Sequence, residues 1–341
     1  MINKLLLTLT IIVVGFTFKP AAAEENTLNI YSSRHYNTDE KLYSDFTKET
    51  GIEIKRVDGK GDALIARIEQ EGELAPADLF ITVDAGRLWR AEQAGLFQPV
   101  ESATLQDKIP ANLKHPEGLW FGFSSRARVL VYNTDKIEDG VLTSYEDLAD
   151  PKWKGRICVR SSGNIYNQSL LASMIAQDGE EAAKNWAKGV LDNLARKPQG
   201  GDTDQIKAVA AGVCDIALVN SYYFFRLQRS EKSEDKALVE NLAIVFPDQD
   251  AAGTHVNISG AGVLKNAKNK EAAVQFLEYL TSESAQAYFA NGNNEYPVVS
   301  GVAVNETVEA NKDFKIQNIN VRQFGEYQTQ AKMIFDEIEF P

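Results

Sequence analysis

Two adjacent tyrosines, Tyr222 and Tyr223, stand where this chain could most readily place a ligand. They follow the apolar run 213–219, which reads as a buried strand, and Asn220 or Ser221 offers the N-cap of a helix that begins with them. Open α/β sheets bind ligands in the crevice outside the carboxyl ends of their strands. Two other stretches repeat the arrangement: His35-Tyr36 after a strand over 27–31, and Ser161-Ser162-Gly163-Asn164-Ile165-Tyr166 after a strand over 156–160. If these strand ends face one cleft, four phenols (Tyr36, Tyr166, Tyr222, Tyr223) and the imidazole of His35 converge there. Arg34, Arg126 and Arg226 would then be nearby cations. Taken alone, the tyrosine pair is more simply read as packing beside Phe224 and Phe225.

A cluster of phenols has one main use. A free phenol titrates near ~10, so a phenolate at neutral pH needs a strong neighbouring cation. A bound metal supplies one. Hard oxygen donors suit hard cations, and tyrosinate is a known iron ligand, whereas zinc and calcium favour other donors. Fe³⁺ therefore suits this donor set best. Four phenolates around Fe³⁺ leave one negative charge and around Fe²⁺ leave two. Arg226, three residues after Tyr223 on a helical start, would offset the extra charge of the reduced state.

The elements around these residues alternate. Strands over 27–31, 52–57 and 77–82 are interleaved with helices over 37–50, 62–70 and 85–94, a rhythm that predicts a parallel α/β lobe. The stretch 119–133 holds two apolar runs around Ser124-Ser125-Arg126 and reads as the passage to a second lobe. That lobe repeats the rhythm with a strand over 156–160 and helices from about 167, over 180–194 and over 204–211, before the strand that leads into Tyr222. A strand over 256–264 returns to the first lobe. Single helices are predicted over 271–289 and 324–338.

At 341 residues the chain has room for two lobes, and 44% hydrophobic with 25% charged residues is a globular composition. The net charge of −12 and the lack of a basic run argue against nucleic acid as a partner. Lys4, the apolar stretch 5–16 and Ala21-Ala22-Ala23 before Glu24 predict a cleavable export signal over 1–23. Export exposes Cys158 and Cys214 to oxidising conditions, where either one disulfide or two buried thiols would fit. No G-x-S-x-G or H-E-x-x-H motif is present to suggest a hydrolase.

Several stretches resemble the periplasmic ferric-binding proteins that serve ABC importers, and among them the cyanobacterial FutA type. They are Ile30-Tyr31-Ser32-Ser33-Arg34-His35-Tyr36, Ala75-Pro76-Ala77-Asp78-Leu79-Phe80, Trp153-Lys154-Gly155-Arg156, Ser162-Gly163, Asn220-Ser221-Tyr222-Tyr223 and Ser259-Gly260-Ala261-Gly262-Val263-Leu264. The resemblance runs through nearly all of the chain after the signal. It implies a two-lobe, type II solute-binding fold of α/β class with the ligand cleft between lobes. The first lobe would be 24–124 joined by about 250–300, and the second 125–249 joined by about 301–341, with a hinge near 124–128 and 247–256. It implies an exported, periplasmic, monomeric iron carrier, not an enzyme, that hands Fe³⁺ to an inner-membrane permease. Tyr222 and Tyr223 are implied as ligands, with Tyr166 as the extra tyrosine of this type and His35 or Tyr36 ligating from the first lobe. Other ferric-binding proteins place a Glu where this chain has Val83, and hold an anion on the Ser-Gly turn; here Tyr166 would take that coordination position. A carrier of an oxyanion or organic cation, and a secreted hydrolase, are the alternatives.

Overall fold

The computed structural model describes residues 26–34 and 39–341; the predicted export signal, His35 and Tyr36 lie outside the described residues. In the first lobe β1 (Thr27–Ser32) and β3 (Leu79–Val83) are buried along nearly their whole length, whereas β2 (Glu53–Asp58) is largely exposed. Their positions explain this: the order is β2-β1-β3, all parallel, which puts β2 at the edge. The lobe is not parallel throughout, because β8 (Val256–Val263) runs antiparallel to β3.

One strand carries the chain between lobes. β4 (Phe121–Asn133) is 13 residues long and buried up to its last position. Its first half pairs antiparallel with β8, ending at Ala127 opposite Val256, and with the short β9 (Tyr296–Pro297). From Arg128 onward it pairs with β6 (Ile216–Asn220), then with β7 (Leu242–Val245). The partner changes between Ala127 and Arg128, inside the stretch read from sequence as the passage between lobes. β5 (Ile157–Cys158) lies parallel to β6, with Cys158 opposite Ala217.

This pairing brings Cys158 close to Cys214 in the turn before β6, and the two are bridged with a Cα–Cα separation of 5.9 Å. Of the two readings that sequence left open, the disulfide is the one found. Cys214 sits just outside the strand rather than on it.

Two predicted helices are each broken in two. The stretch 271–289 forms Lys270–Tyr279 and Glu283–Asn293, because Ser282 turns from the helix and accepts a hydrogen bond from the Ala285 N–H as an N-cap. The tail forms Gln323–Glu326 and Gln328–Glu337. It docks on both lobes: Phe324 enters the first lobe's core, and Ala331, Ile334, Phe335 and Phe340 enter the second's. Close packing accompanies this, since a Cβ at Gly325 would lie 2.2 Å from Cβ of Trp89.

Candidate functional site

β5 and β6 are parallel neighbours, so the segments leaving their carboxyl ends start side by side. One reaches the Ile165–Asp178 helix through a turn in which the Asn164 side chain caps Tyr166 N–H. The other becomes the Ser221–Gln228 helix, with Asn220 as N-cap residue. Both helices therefore present tyrosines in their first turns at one place. The hydroxyl oxygens of Tyr166 and Tyr222 are 3.5 Å apart, and the rings of Tyr222 and Tyr223 are stacked at 4.2 Å with a tilt of 31°. Tyr166 and Tyr222 are buried and Tyr223 is half-buried. Val83, at the end of β3 in the first lobe, packs with Ile165, Tyr166 and Tyr223. The phenols thus lie where the lobes meet, and the first lobe offers them the apolar side chain of Val83.

The surroundings are cationic. The guanidinium of Arg160 lies 5.2 Å from the Tyr166 ring centroid, Arg126 5.6 Å and Arg128 5.9 Å. Both Nη atoms of Arg128 are engaged, by Asp202 at 2.9 Å, Asn167 at 2.7 Å and Asn220 at 3.2 Å. Arg160 is 3.6 Å from Asp202, and Arg126 is 3.9 Å from Asp84. Three guanidiniums against two carboxylates leave one positive charge next to the phenols. Burial is the largest single effect on Arg126 and Arg160 and works against their charges, but Asp84, Tyr166, Glu295 and Tyr222 together outweigh it for Arg126, and Asp202, Tyr223, Tyr166 and Tyr222 together for Arg160; each pKa stays above its ordinary value. Burial pushes the Tyr223 phenol well above its ordinary pKa, with Tyr166 and Asp202 adding to this and Tyr222 and Arg160 opposing it. Without a bound cation Tyr223 therefore keeps its proton.

The predicted site residues fare differently. Tyr166, Tyr222 and Tyr223 are brought together, and Arg126 lies over them. Arg226 is exposed; its guanidinium stacks on the Tyr223 ring at 5.0 Å and donates to Thr203, on the outer side of the cluster. Arg34 binds Asp39 and Glu295 and sits over Phe289, so its charge already has two carboxylate partners. Sequence reasoning missed Arg160, Arg128, Asp202 and Asp84. The alternation Arg126-Ala127-Arg128 within an apolar strand was a usable signal, as was Arg160 at the end of a strand already singled out. The Ser162 donors of the Ser-Gly turn are taken, its N–H by the Pro341 carbonyl and its hydroxyl by Phe340. Among the described residues, no group of three or more His, Cys, Asp or Glu is placed to hold a metal ion, so a metal at this site would rest on phenolate donors.

Comparison with known proteins points the same way. Residues 75–321 match the family described as bacterial extracellular solute-binding protein. The chain is 51% identical to iron uptake protein A1 of Synechocystis over 314 residues, covering 92% of this chain and 87% of that one. The solved structure of Trichodesmium FutA (IdiA) with iron and citrate ligands superposes with a TM-score of 0.89 at 55% identity, covering 92% of this chain and all (100%) of that one. The ferric binding protein from Campylobacter jejuni gives a TM-score of 0.88 at 42% identity, with 92% and 100% covered.

Proposed function

This chain belongs to the bacterial extracellular solute-binding proteins, and we infer that it is a periplasmic ferric-iron carrier that captures Fe³⁺ between its lobes and delivers it to an ABC importer. The observation that carries this reading is the convergence of the Tyr166, Tyr222 and Tyr223 phenols beside Arg126, Arg128 and Arg160 at the lobe junction. Half-identical relatives named for iron uptake support it.

In the proposed mechanism the incoming cation displaces the protons of the three phenols, which pass to solvent water, and is bound by the resulting phenolates. Three phenolates neutralise Fe³⁺. A fourth from Tyr36, taken from the sequence, would leave one negative charge, matching the excess positive charge of the arginine–aspartate set. His35 is the other first-lobe candidate from sequence. Arg226 on the outer face of Tyr223 is suited to add positive charge when the iron is Fe²⁺. The chain would work as a monomer, exported by the segment 1–23, and its partner would be an inner-membrane permease.

Titration of the purified protein with one equivalent of Fe³⁺ tests the reading. A visible phenolate-to-iron absorption band should appear and saturate at one iron per chain. A colourless protein would favour a carrier for an oxyanion or organic cation.

A further inference from the structure

We propose that Ser169 and Asp84 form a latch that holds the two lobes shut over the bound cation, a role that rests on the iron-carrier reading above. Asp84 follows β3 in the first lobe and has φ +83°, a conformation costly for a residue with a side chain. Its surroundings hold it there: its N–H donates to Ile258 O at 2.8 Å, the Ala85 N–H to Asn257 Oδ1 at 2.9 Å, and the Gly86 N–H to Asp84 Oδ1 at 3.0 Å. The Asp84 backbone is thereby fixed to the returning strand β8, and its carboxylate to the start of the Ala85–Gln93 helix.

Ser169 belongs to the second lobe. It lies three residues after Tyr166 on the Ile165–Asp178 helix, hence on the same face. Its hydroxyl donates to Asp84 Oδ1 at 2.6 Å, and both residues are fully buried. The register is consecutive: Val83 packs on Tyr166, and the next residue, Asp84, receives Ser169. The other oxygen, Oδ2, is buried without a hydrogen-bond partner, 3.9 Å from Arg126 Nη2; neither Nη atom of Arg126 has a hydrogen-bond partner either. Arg126 sits on β4, two residues before the strand changes lobes. A single carboxylate thus touches the first lobe, the second lobe and the strand between them.

The Ser169 bond spans the cleft from a helix that also bears a phenol of the site. Separation of the lobes would break it, whereas the bonds that fix Asp84 lie within the first lobe and survive. A hydroxyl-to-carboxylate bond is among the stronger neutral-to-charged hydrogen bonds. Its loss should therefore act on the closed, loaded form and leave the open, empty form unaffected.

The test uses the full-length exported chain and Ser169→Ala. The iron band should keep its position, while release to an excess of chelator becomes about tenfold faster. The melting temperature of the iron-loaded variant should fall and that of the iron-free variant should match wild type. In an Asp84→Asn background, where the acceptor is a neutral amide, Ser169→Ala should accelerate release less. Wild-type release from Ser169→Ala, equal loss of melting temperature with and without iron, or equal acceleration in both backgrounds would each overturn the latch while leaving the iron site standing. A wild-type protein with no iron band would overturn both.

Discussion

The hydroxyl oxygens of Tyr166 and Tyr222 lie 3.5 Å apart although 56 residues separate them in the chain. Tyr223 stacks against Tyr222, so three phenols occupy one small volume at the head of two neighbouring helices. Replacing Tyr222 and Tyr223 together by Phe keeps both rings and removes two oxygens. The variant should fold, as judged by an unchanged far-ultraviolet circular dichroism spectrum, and should lose the phenolate-to-iron band. A band of full strength in the double variant would remove these two residues from the site.

Iron should leave as the pH falls. Burial raises the Tyr223 pKa, so a cation must displace protons to bind, and protons compete for the same oxygens. The sign is fixed by this exchange: occupancy is highest at neutral or higher pH and drops through mild acid. Iron content measured after dialysis at stepwise lower pH should decline with loss of the visible band. Constant occupancy down to mild acid would mean that phenolates do not dominate the site.

A second pH effect concerns stability rather than ligand binding. His255 is buried at the start of β8, with its ring 4.5 Å from Phe324. Burial, followed by the charges of Arg128 and Arg126, lowers its pKa from 6.5 to about 3, against a smaller opposing effect of Gln317. The unfolded chain therefore takes up a proton below pH 6.5 that the folded chain refuses. This contribution to stability is complete above pH 6.5 and is lost as the pH falls toward 3, to a total on the order of 5 kcal/mol. Denaturant unfolding at several pH values should show a shallower decline for His255→Gln than for wild type in that window. Parallel declines would assign the acid sensitivity elsewhere.

The Cys158–Cys214 bridge closes a loop with a sequence separation of 56. Loop-closure entropy for that length corresponds to about 4 kcal/mol, and measured values for such bridges commonly run about 2–4 kcal/mol. Replacing both cysteines by Ala should lower the unfolding free energy by that order while leaving the iron band in place, since neither sulfur approaches the role of a ligand. Peptide mapping under non-reducing conditions should recover the bridged pair. Free thiols at both positions would contradict it.

The parts of this protein readable from its residues were local. The hydrophobic periods located β1, β3, β6 and their following helices, because burial pattern and turn residues are written in consecutive positions. The polar, aromatic segments at the strand ends marked Tyr166, Tyr222 and Tyr223 for the same reason. The single-helix reading of 271–289 failed because the apolar residues on either side of Thr281-Ser282 suit a helix equally well, and only packing selects the capped break at Ser282. Arg128, Arg160, Asp202 and Asp84 escaped notice because a charged residue looks the same in sequence whether it faces water or a buried partner.

Sequence alone determined which donors the chain has: phenols in number and few imidazoles. Tertiary structure decided that they meet and what charge surrounds them. Parallel pairing of β5 with β6 sets two distant helix starts side by side, and the partner change in β4 brings Arg126 and Arg128 over the Tyr166 ring. Both follow from hydrogen-bond register between strands far apart in the chain, which no window of neighbouring residues contains.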